Sequence, residues 1–167
     1  MKHKLPLITG LISALIVLLG LLWAGTGGPR PAPEISFQLV DGQALSLREL
    51  RGQPVLITFW SVGCTTCISE MPHWIELYNE LGPQGLALIG VATPFDRPDF
   101  VMNTRQRNKL NYPIAFDLEG KVSKALGDVH ITPTTVLITP AGKIVLQQQG
   151  IMDMRTLRQH ILAMLKQ

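Results

Sequence analysis

Cysteine is scarce in this chain of 167 residues, which contains two, at positions 64 and 67. Two cysteines cannot build a disulfide-rich scaffold, and by themselves they cannot fill the four ligand positions of a structural zinc site. The histidines do not complete such a site, because their spacing is unlike that of zinc ligands; they lie at positions 3, 73, 130 and 160. Internal repeats and low-complexity segments are also lacking in the sequence.

An excess of positive charge is missing from most of the chain, although its formal net charge is +3. Lys2, Lys4 and Arg30 supply this excess, since from residue 31 onward 12 Lys and Arg side chains balance 12 Asp and Glu side chains. A basic surface for nucleic acid is therefore not expected.

Residues 7–24 carry no charge and are mostly apolar. The run reaches the length of about 18 residues that indicates a membrane span and exceeds the roughly 7–15 residues of a usual signal-peptide core. The lysines ahead of it predict a cytoplasmic N-terminus and an exported remainder. We expect a membrane anchor over residues 1–24 (or a cleaved signal peptide), a linker over 25–33 and one domain over 34–167. In a bacterial cell that domain would lie on the periplasmic side of the inner membrane.

The cysteine pair lies where a predicted strand turns into a predicted helix. An apolar, β-branched run over residues 54–60 precedes it, and apolar residues at helical spacing follow it up to Gly82. Helix residues three apart are about 5–6 Å from each other, which suits a disulfide. The free N–H groups of a helix N-terminus also favour a Cys64 thiolate. This setting favours a reversible redox disulfide between Cys64 and Cys67 over a zinc site or a purely structural bridge, which would close a very short loop.

With its surroundings, the pair resembles the active site of the thioredoxin superfamily, and in particular its membrane-anchored TlpA/ResA/CcmG-like branch. That branch typically has Trp-Cys-x-x-Cys after an aromatic-rich strand, then a glutamate three residues beyond the second cysteine and a proline two residues further on. Glu70 and Pro72 occupy these places, and the resemblance runs from Glu34 to the C-terminus. It implies a thioredoxin-like three-layer α/β fold with an N-terminal β-hairpin extension and a central βα insertion.

Residue patterns predict elements that agree with such a fold. A hairpin is expected over residues 35–45, and a capping-box pattern from Ser46 to Glu49 predicts a short helix that ends at Gly52. A further helix is expected to begin near Asp96. The remaining strands and helix bodies are expected over residues 86–92, 100–110, 114–116, 121–126, 135–139, 143–146 and 154–166.

A proline precedes the penultimate strand, where a residue without an N–H donor fits. In the thioredoxin superfamily this position holds a cis-proline that faces the disulfide, and the resemblance implies the same for Pro133. The main chain of Thr132 would then lie at the active-site surface, ready to pair with an extended substrate strand.

Glu70 lies one helical turn beyond Cys67, on the same side of the helix. A partly buried carboxylate there would take and return the proton of Cys67 during exchange. The alternative is a surface glutamate stabilised by the helix dipole. Thioredoxin itself usually keeps a buried aspartate on the preceding strand, and because this chain has Thr58 there, Glu70 is the acid that the sequence places near the pair.

Two more residues are expected to shape the substrate-binding region. Gly63 stands where the family usually has the tryptophan before the first cysteine, which should open the surface beside Cys64 and change which partner docks. Trp60 is expected to pack beneath the active-site turn in the same region. His73 and His130 are expected to have no catalytic role.

These features predict a membrane-tethered thiol–disulfide oxidoreductase that needs no cofactor and no metal. Cys64 would attack a substrate disulfide, and Cys67 would resolve the mixed disulfide and release reduced substrate. The resemblance implies that the substrates are exported proteins, such as apocytochrome c or a copper-site protein. It also implies that a membrane electron donor re-reduces the pair.

Two alternatives share the fold. A copper-binding or metallochaperone module would use both cysteines and His130, although that family usually separates its cysteines by three residues. A peroxiredoxin would use Cys64 on peroxides, but its usual Pro-x-x-x-Thr/Ser-x-x-Cys pattern requires a proline where this chain has Ile57.

Overall fold

The computed structural model describes residues 29–166, so the predicted anchor over residues 1–24 and the first part of the linker lie outside it. In the part of the chain that is described, no helix is long and apolar enough to cross a membrane. The strands are β1 (Arg30–Pro31), β2 (Ser36–Leu39), β3 (Ala44–Ser46), β4 (Val55–Trp60), β5 (Ala87–Ala92), β6 (Ile114–Phe116), β7 (Thr134–Ile138) and β8 (Lys143–Gln149). The helices are α1 (Thr65–Leu81), α2 (Pro98–Arg107), α3 (Lys121–Ala125) and α4 (Met154–Leu165).

The eight strands form one mixed sheet in the order β1-β8-β7-β4-β5-β6-β2-β3. The central strand β4 runs parallel to β5 and antiparallel to β7. The predicted hairpin of β2 and β3 extends the sheet beyond β6, and β1 covers the opposite edge by pairing with β8. The hairpin extension and the inserted segment from α2 to α3 therefore lie where the sequence predicts them.

Side chains of β4 alternate between the two faces of the sheet, as the period of two in a strand requires. Leu56 and Trp60 belong to an apolar cluster that includes buried residues of α1 and α4. Val55, Ile57 and Phe59 belong to a second cluster with residues around α3. Because β4 is buried on both faces, it holds its carboxyl end, and the loop that follows, in a fixed position.

The prediction of a short helix between Ser46 and Gly52 is wrong, because this segment forms turns. Part of the capping box is present, since Glu49 Oε2 accepts a hydrogen bond from Ser46 N at 2.7 Å. The main-chain bonds run from Glu49 N to Ser46 O and from Arg51 N to Arg48 O, which is the spacing of a turn. Gly52 has a φ of +90°, so the chain leaves the helical region before a regular helix can be completed.

Candidate active site

Cys64 is the N-cap residue of α1, four residues beyond the last residue of β4. Its main chain is extended, with φ −90° and ψ 98°, and its Sγ accepts a hydrogen bond from Cys67 N at 3.1 Å. The sulfur therefore lies at the helix end where free N–H groups and the dipole favour negative charge. This is the position that the strand-to-helix pattern predicted.

Cys64 and Cys67 are joined by a disulfide, with their Cα atoms 5.2 Å apart. The two residues differ in accessibility, because Cys64 is partly exposed whereas Cys67 is 2% exposed. A nucleophile from solvent can therefore reach Cys64 far more readily than Cys67.

The Thr132–Pro133 peptide bond is cis. Strand register places it beside the disulfide loop, since Thr134 pairs with Phe59, the penultimate residue of β4. Gly150 N donates to Pro133 O at 2.8 Å and Thr134 Oγ1 donates to Ile131 O at 2.6 Å, so both flanks of Thr132 are held. Within residues 29–166 the main chain of Thr132 makes no hydrogen bond, which leaves it available to an extended partner.

Glu70 is buried, at 5% exposed, and is not a surface glutamate. Its Oε1 accepts a hydrogen bond from Met152 N at 2.9 Å, while its Oε2 is buried without a hydrogen-bond partner among the described residues. Burial raises the pKa of Glu70, and the Met152 hydrogen bond and the attraction of His73 oppose that rise only in part.

Glu70, Cys67 and Pro133 line one narrow crevice beneath the disulfide. The other residues of its wall are Thr58, Trp60, Met71, Trp74 and Tyr112. Most of this wall is apolar, so the Glu70 carboxyl is the group in it that is suited to proton transfer. The crevice therefore brings together a buried sulfur and a carboxyl whose pKa is raised by burial.

Trp60 packs beneath the active-site turn, as the sequence predicts, and does not offer its ring to a substrate. It is 3% exposed and packs in the core cluster that contains α1. Gly90 makes room for the ring, because a Cβ added there would lie 3.3 Å from Trp60 Nε1 and 2.8 Å from Ile114 Cδ1. Trp60 supports the site from below.

Gly63 is exposed, and a Cβ added to it would meet no atom within 4 Å. Exposed apolar side chains flank the cis-proline, since Ile131 precedes Thr132 and Ile151 follows the residue that bonds Pro133 O. Ile151 is 70% exposed. The surface around Cys64 is therefore open at Gly63 and apolar on the proline side.

Replacing Gly63 with tryptophan should alter recognition of protein substrates without unfolding the domain. The site has space for a side chain, and surface substitutions of this kind usually change the free energy of unfolding by less than about 0.5 kcal/mol. We expect kcat/KM for a disulfide-bonded protein to change roughly fivefold or more, as a repositioned bulky contact can cost about 1 kcal/mol. The rate with a small disulfide should stay within about twofold. Steady-state kinetics of G63W, with G63A as the control, test this prediction. Equal effects of G63W on the protein substrate and on the small disulfide would contradict it.

Asp96 is a residue of this site that sequence reasoning missed. It was expected at the start of a helix, but the N-cap of α2 is Arg97. Asp96 is instead 8% exposed and accepts hydrogen bonds from the loop that leads to Cys64. A usable signal was present, because Asp96 follows β5 closely and the carboxyl ends of neighbouring parallel strands meet at one edge of a sheet.

Two histidines of the domain, His73 and His130, lie in solvent. His73 is exposed on α1, and His130 is exposed with its Nε2 3.0 Å from Asp128 Oδ2. Over residues 29–166, no group of three or more His, Cys, Asp and Glu side chains is placed to hold a metal ion.

The sequence profile of the AhpC/TSA family matches residues 29–147. The chain belongs to the AhpC/TSA family. The thiol–disulfide oxidoreductase ResA of Halalkalibacterium halodurans is 37% identical to it over 119 residues, which cover 70% of this chain and 66% of that protein. ResA of Bacillus subtilis is 30% identical over 159 residues, which cover 90% and 88%.

A solved structure shows the same fold. It is that of a proposed thiol:disulfide interchange protein DsbE from Chlorobium tepidum, with a TM-score of 0.74, 27% identity and coverage of 82% of this chain and 96% of that one. The thioredoxin-like α/β fold and the resemblance to the ResA branch are confirmed. Together with the Cys64–Cys67 disulfide, these relatives identify the chain as a thiol–disulfide oxidoreductase.

Membership of this family does not place a peroxiredoxin motif in the chain. Ile57, where that motif requires a proline, is fully buried in the middle of β4. It pairs with Ile89 on one side and Val136 on the other. Proline is disfavoured inside a central strand because it cannot donate to the ladder.

Proposed function

We propose that this protein is a membrane-tethered reductase of disulfides in exported proteins, acting in the maturation of cytochrome c or of a copper site. Its domain would lie on the extracytoplasmic side of the inner membrane. A membrane electron donor would return the pair to the dithiol form after each turnover. The alternative is a copper-binding module that uses the same two sulfurs.

The observation that carries the proposal is the unequal exposure of the two cysteines beside the cis-proline loop. The partly exposed Cys64 attacks the substrate disulfide, so that one substrate sulfur joins Cys64 Sγ and the other leaves as a thiolate. The buried Cys67 then attacks Cys64 Sγ, which restores the enzyme disulfide and releases the second substrate sulfur. The free main chain of Thr132 holds an extended substrate segment during these steps.

The charges near the pair support reduction as the direction. Strongly oxidising members of this chemistry stabilise their thiolate, so that the reduced form is favoured. Here Thr65 and Thr66 separate the cysteines without a positive charge, while the Asp96 carboxylate accepts a hydrogen bond from Val62 N, two residues before Cys64. Negative charge disfavours a thiolate, which keeps the dithiol a good reductant.

The tether is supported by the uncharged run over residues 7–24 and by the lysines that precede it. The Gly- and Pro-rich stretch over 25–33 would give the domain reach from the membrane surface. The C-terminal part of this stretch is attached to the sheet, since Arg30 and Pro31 form β1 and pair with β8.

The reduction potential of the Cys64–Cys67 pair tests this function. The full chain is equilibrated in glutathione and dithiothreitol buffers, and free thiols are trapped with an alkylating reagent. A potential near or below about −230 mV supports a reductase, whereas one near about −120 mV matches a strong oxidant and overturns the proposed direction.

Fractionation of the same cells tests the tether, because an anchored chain stays in the membrane fraction until detergent is added. A pair that never forms a disulfide would favour the copper-binding alternative.

A further inference from the structure

We propose that Asp96 is a positioning residue that fixes the loop ahead of Cys64 and thereby sets the equilibrium between disulfide and dithiol. The proposal concerns the difference between variants, so it holds for either direction of electron flow. Its failure is therefore distinguishable from failure of the proposed function, which depends on the absolute potential.

The Asp96 side chain accepts three hydrogen bonds while 8% exposed. Ser61 Oγ donates to Oδ1 at 2.9 Å, Val62 N donates to Oδ2 at 3.1 Å, and Thr93 Oγ1 donates to Oδ2 at 3.2 Å. Two of the three donors lie in the loop between β4 and α1. Hydrogen bonds to a charged acceptor are stronger than those between neutral groups, so this carboxylate is a strong anchor.

The anchored loop fixes the position of Cys64 through hydrogen bonds of Ser61. Ser61 Oγ, oriented by Asp96, accepts a weak hydrogen bond from Gly63 N at 3.4 Å. Ser61 O accepts from Cys64 N at 3.1 Å. Asp96 thus holds the first two residues of a three-residue loop, and these in turn hold the N-cap cysteine.

This loop depends on such an anchor because Gly63 cannot fix it by packing. Glycine has the greatest backbone freedom of any residue, and the position is exposed with empty space around it. Asp96 has no competing role as a helix cap, since the N-cap of α2 is Arg97 and the acidic residue of its first turn is Asp99. The carboxylate of Asp96 is therefore committed to the active-site loop and to Thr93.

A fixed loop favours the disulfide because it keeps Cys64 close to Cys67 when both are reduced. In equilibrium with glutathione, two glutathione thiols lose two electrons and two protons and form glutathione disulfide. The enzyme S–S bond breaks, and two thiols form. Loosening the loop lowers the effective concentration of one thiol near the other, which shifts this equilibrium toward the dithiol. Removing the nearby negative charge favours the thiolate and acts in the same direction.

The test compares Asp96→Asn with Asp99→Asn, which removes the same charge three residues away from an exposed position paired with Arg97. We expect the equilibrium constant for reduction by glutathione to rise at least threefold in D96N, which is about 14 mV for a two-electron couple. D99N should stay within about 1.5-fold of the unmodified chain. A second variant, Ser61→Ala, should move the constant in the same direction by about twofold, because it removes the hydroxyl link alone.

A merely structural role would lower the thermal midpoint of D96N but leave its potential unchanged, and that result would overturn the proposal. An equal shift in D99N would also overturn the proposal, because the effect would then come from the loss of one negative charge and not from the loss of the Asp96 hydrogen bonds. If D96N does not fold, the test rests on S61A. An unchanged equilibrium constant for reduction by glutathione in that variant rejects the positioning role.

Discussion

Replacing Cys67 with serine is expected to arrest the enzyme as a mixed disulfide with its substrate. Cys64 remains partly exposed and able to attack, but the sulfur that would release the substrate is gone. Turnover with a protein disulfide should fall by more than about 100-fold, because resolution must then come from an external thiol. The complex should appear on non-reducing gels and disappear on addition of dithiothreitol.

The matched control is Cys64→Ser, in which the remaining cysteine is 2% exposed. That variant should lose turnover equally but should form little mixed disulfide, since a substrate disulfide cannot reach a buried sulfur. Both variants lack the Cys64–Cys67 disulfide, so they are compared in the same reduced state. Equal amounts of complex in C64S and C67S would contradict the assignment of Cys64 as the attacking residue.

Replacing Glu70 with glutamine is expected to slow resolution of the mixed disulfide by about 10-fold to 100-fold. The variant keeps the shape of the side chain and an oxygen that accepts the Met152 N hydrogen bond, but it cannot carry a proton back and forth. General acid–base catalysis typically contributes about 10²–10⁴-fold, and we place the effect at or below the lower end of that range because water near the partly exposed Cys64 can carry protons as well. Single-turnover kinetics across the pH range measure the rate directly.

Glu76→Gln is the control for this substitution, because Glu76 is an exposed residue of the same helix. Its resolution rate should stay within about twofold of that of the unmodified chain. Equal slowing in both variants would assign the effect to net charge. An unchanged rate in E70Q would leave Glu70 with its structural hydrogen bond to Met152 and without a part in proton transfer.

The stability of E70Q should also show the sign of the Glu70 pKa shift. Burial raises this pKa above its ordinary value of 4.5, so the folded state holds the proton more tightly than the unfolded state. The contribution of Glu70 to stability is then fully present below about pH 4.5 and is lost as pH rises through the raised pKa. Denaturant unfolding of both proteins at acid and alkaline pH should show the free-energy difference moving in favour of E70Q as pH rises. A difference that moves the other way would contradict the raised pKa.

Local sequence was sufficient for the part of the site that is local in the chain. A continuous apolar run ends at Trp60 and helical periodicity begins after Cys67, so the strand, the turn and the N-terminal cysteine follow from residues within one short stretch. The same holds for the hairpin around Asp41-Gly42 and for the final helix. Pro133 needed the family resemblance as well, because few X–Pro bonds are cis and no short-range pattern marks those that are.

The failures also have local causes. A capping-box spacing predicted a helix after Ser46, yet Gly52 follows too soon for a helix to be completed, and the side-chain bond is made in a turn. Trp60 was predicted to shape the substrate-binding region from beneath the active-site turn. Alternation along β4 turns it into the core, where Gly90 leaves space for its ring, so it supports that region without forming its surface. The period of two in a strand predicts that side chains alternate between the faces of the sheet, but it does not predict which face a substrate can reach.

By itself, the sequence determined the dithiol, its place between strand and helix, and the class of fold, because hydrophobic period and motif spacing depend on near neighbours. Tertiary structure decided what surrounds the sulfurs. Glu70 is bonded to Met152 across 82 positions of the chain, and Asp96 to Ser61 across 35. The physical reason is that burial and a hydrogen-bond partner are set by which elements pack together, and these two carboxyl groups acquire both from segments far away in sequence.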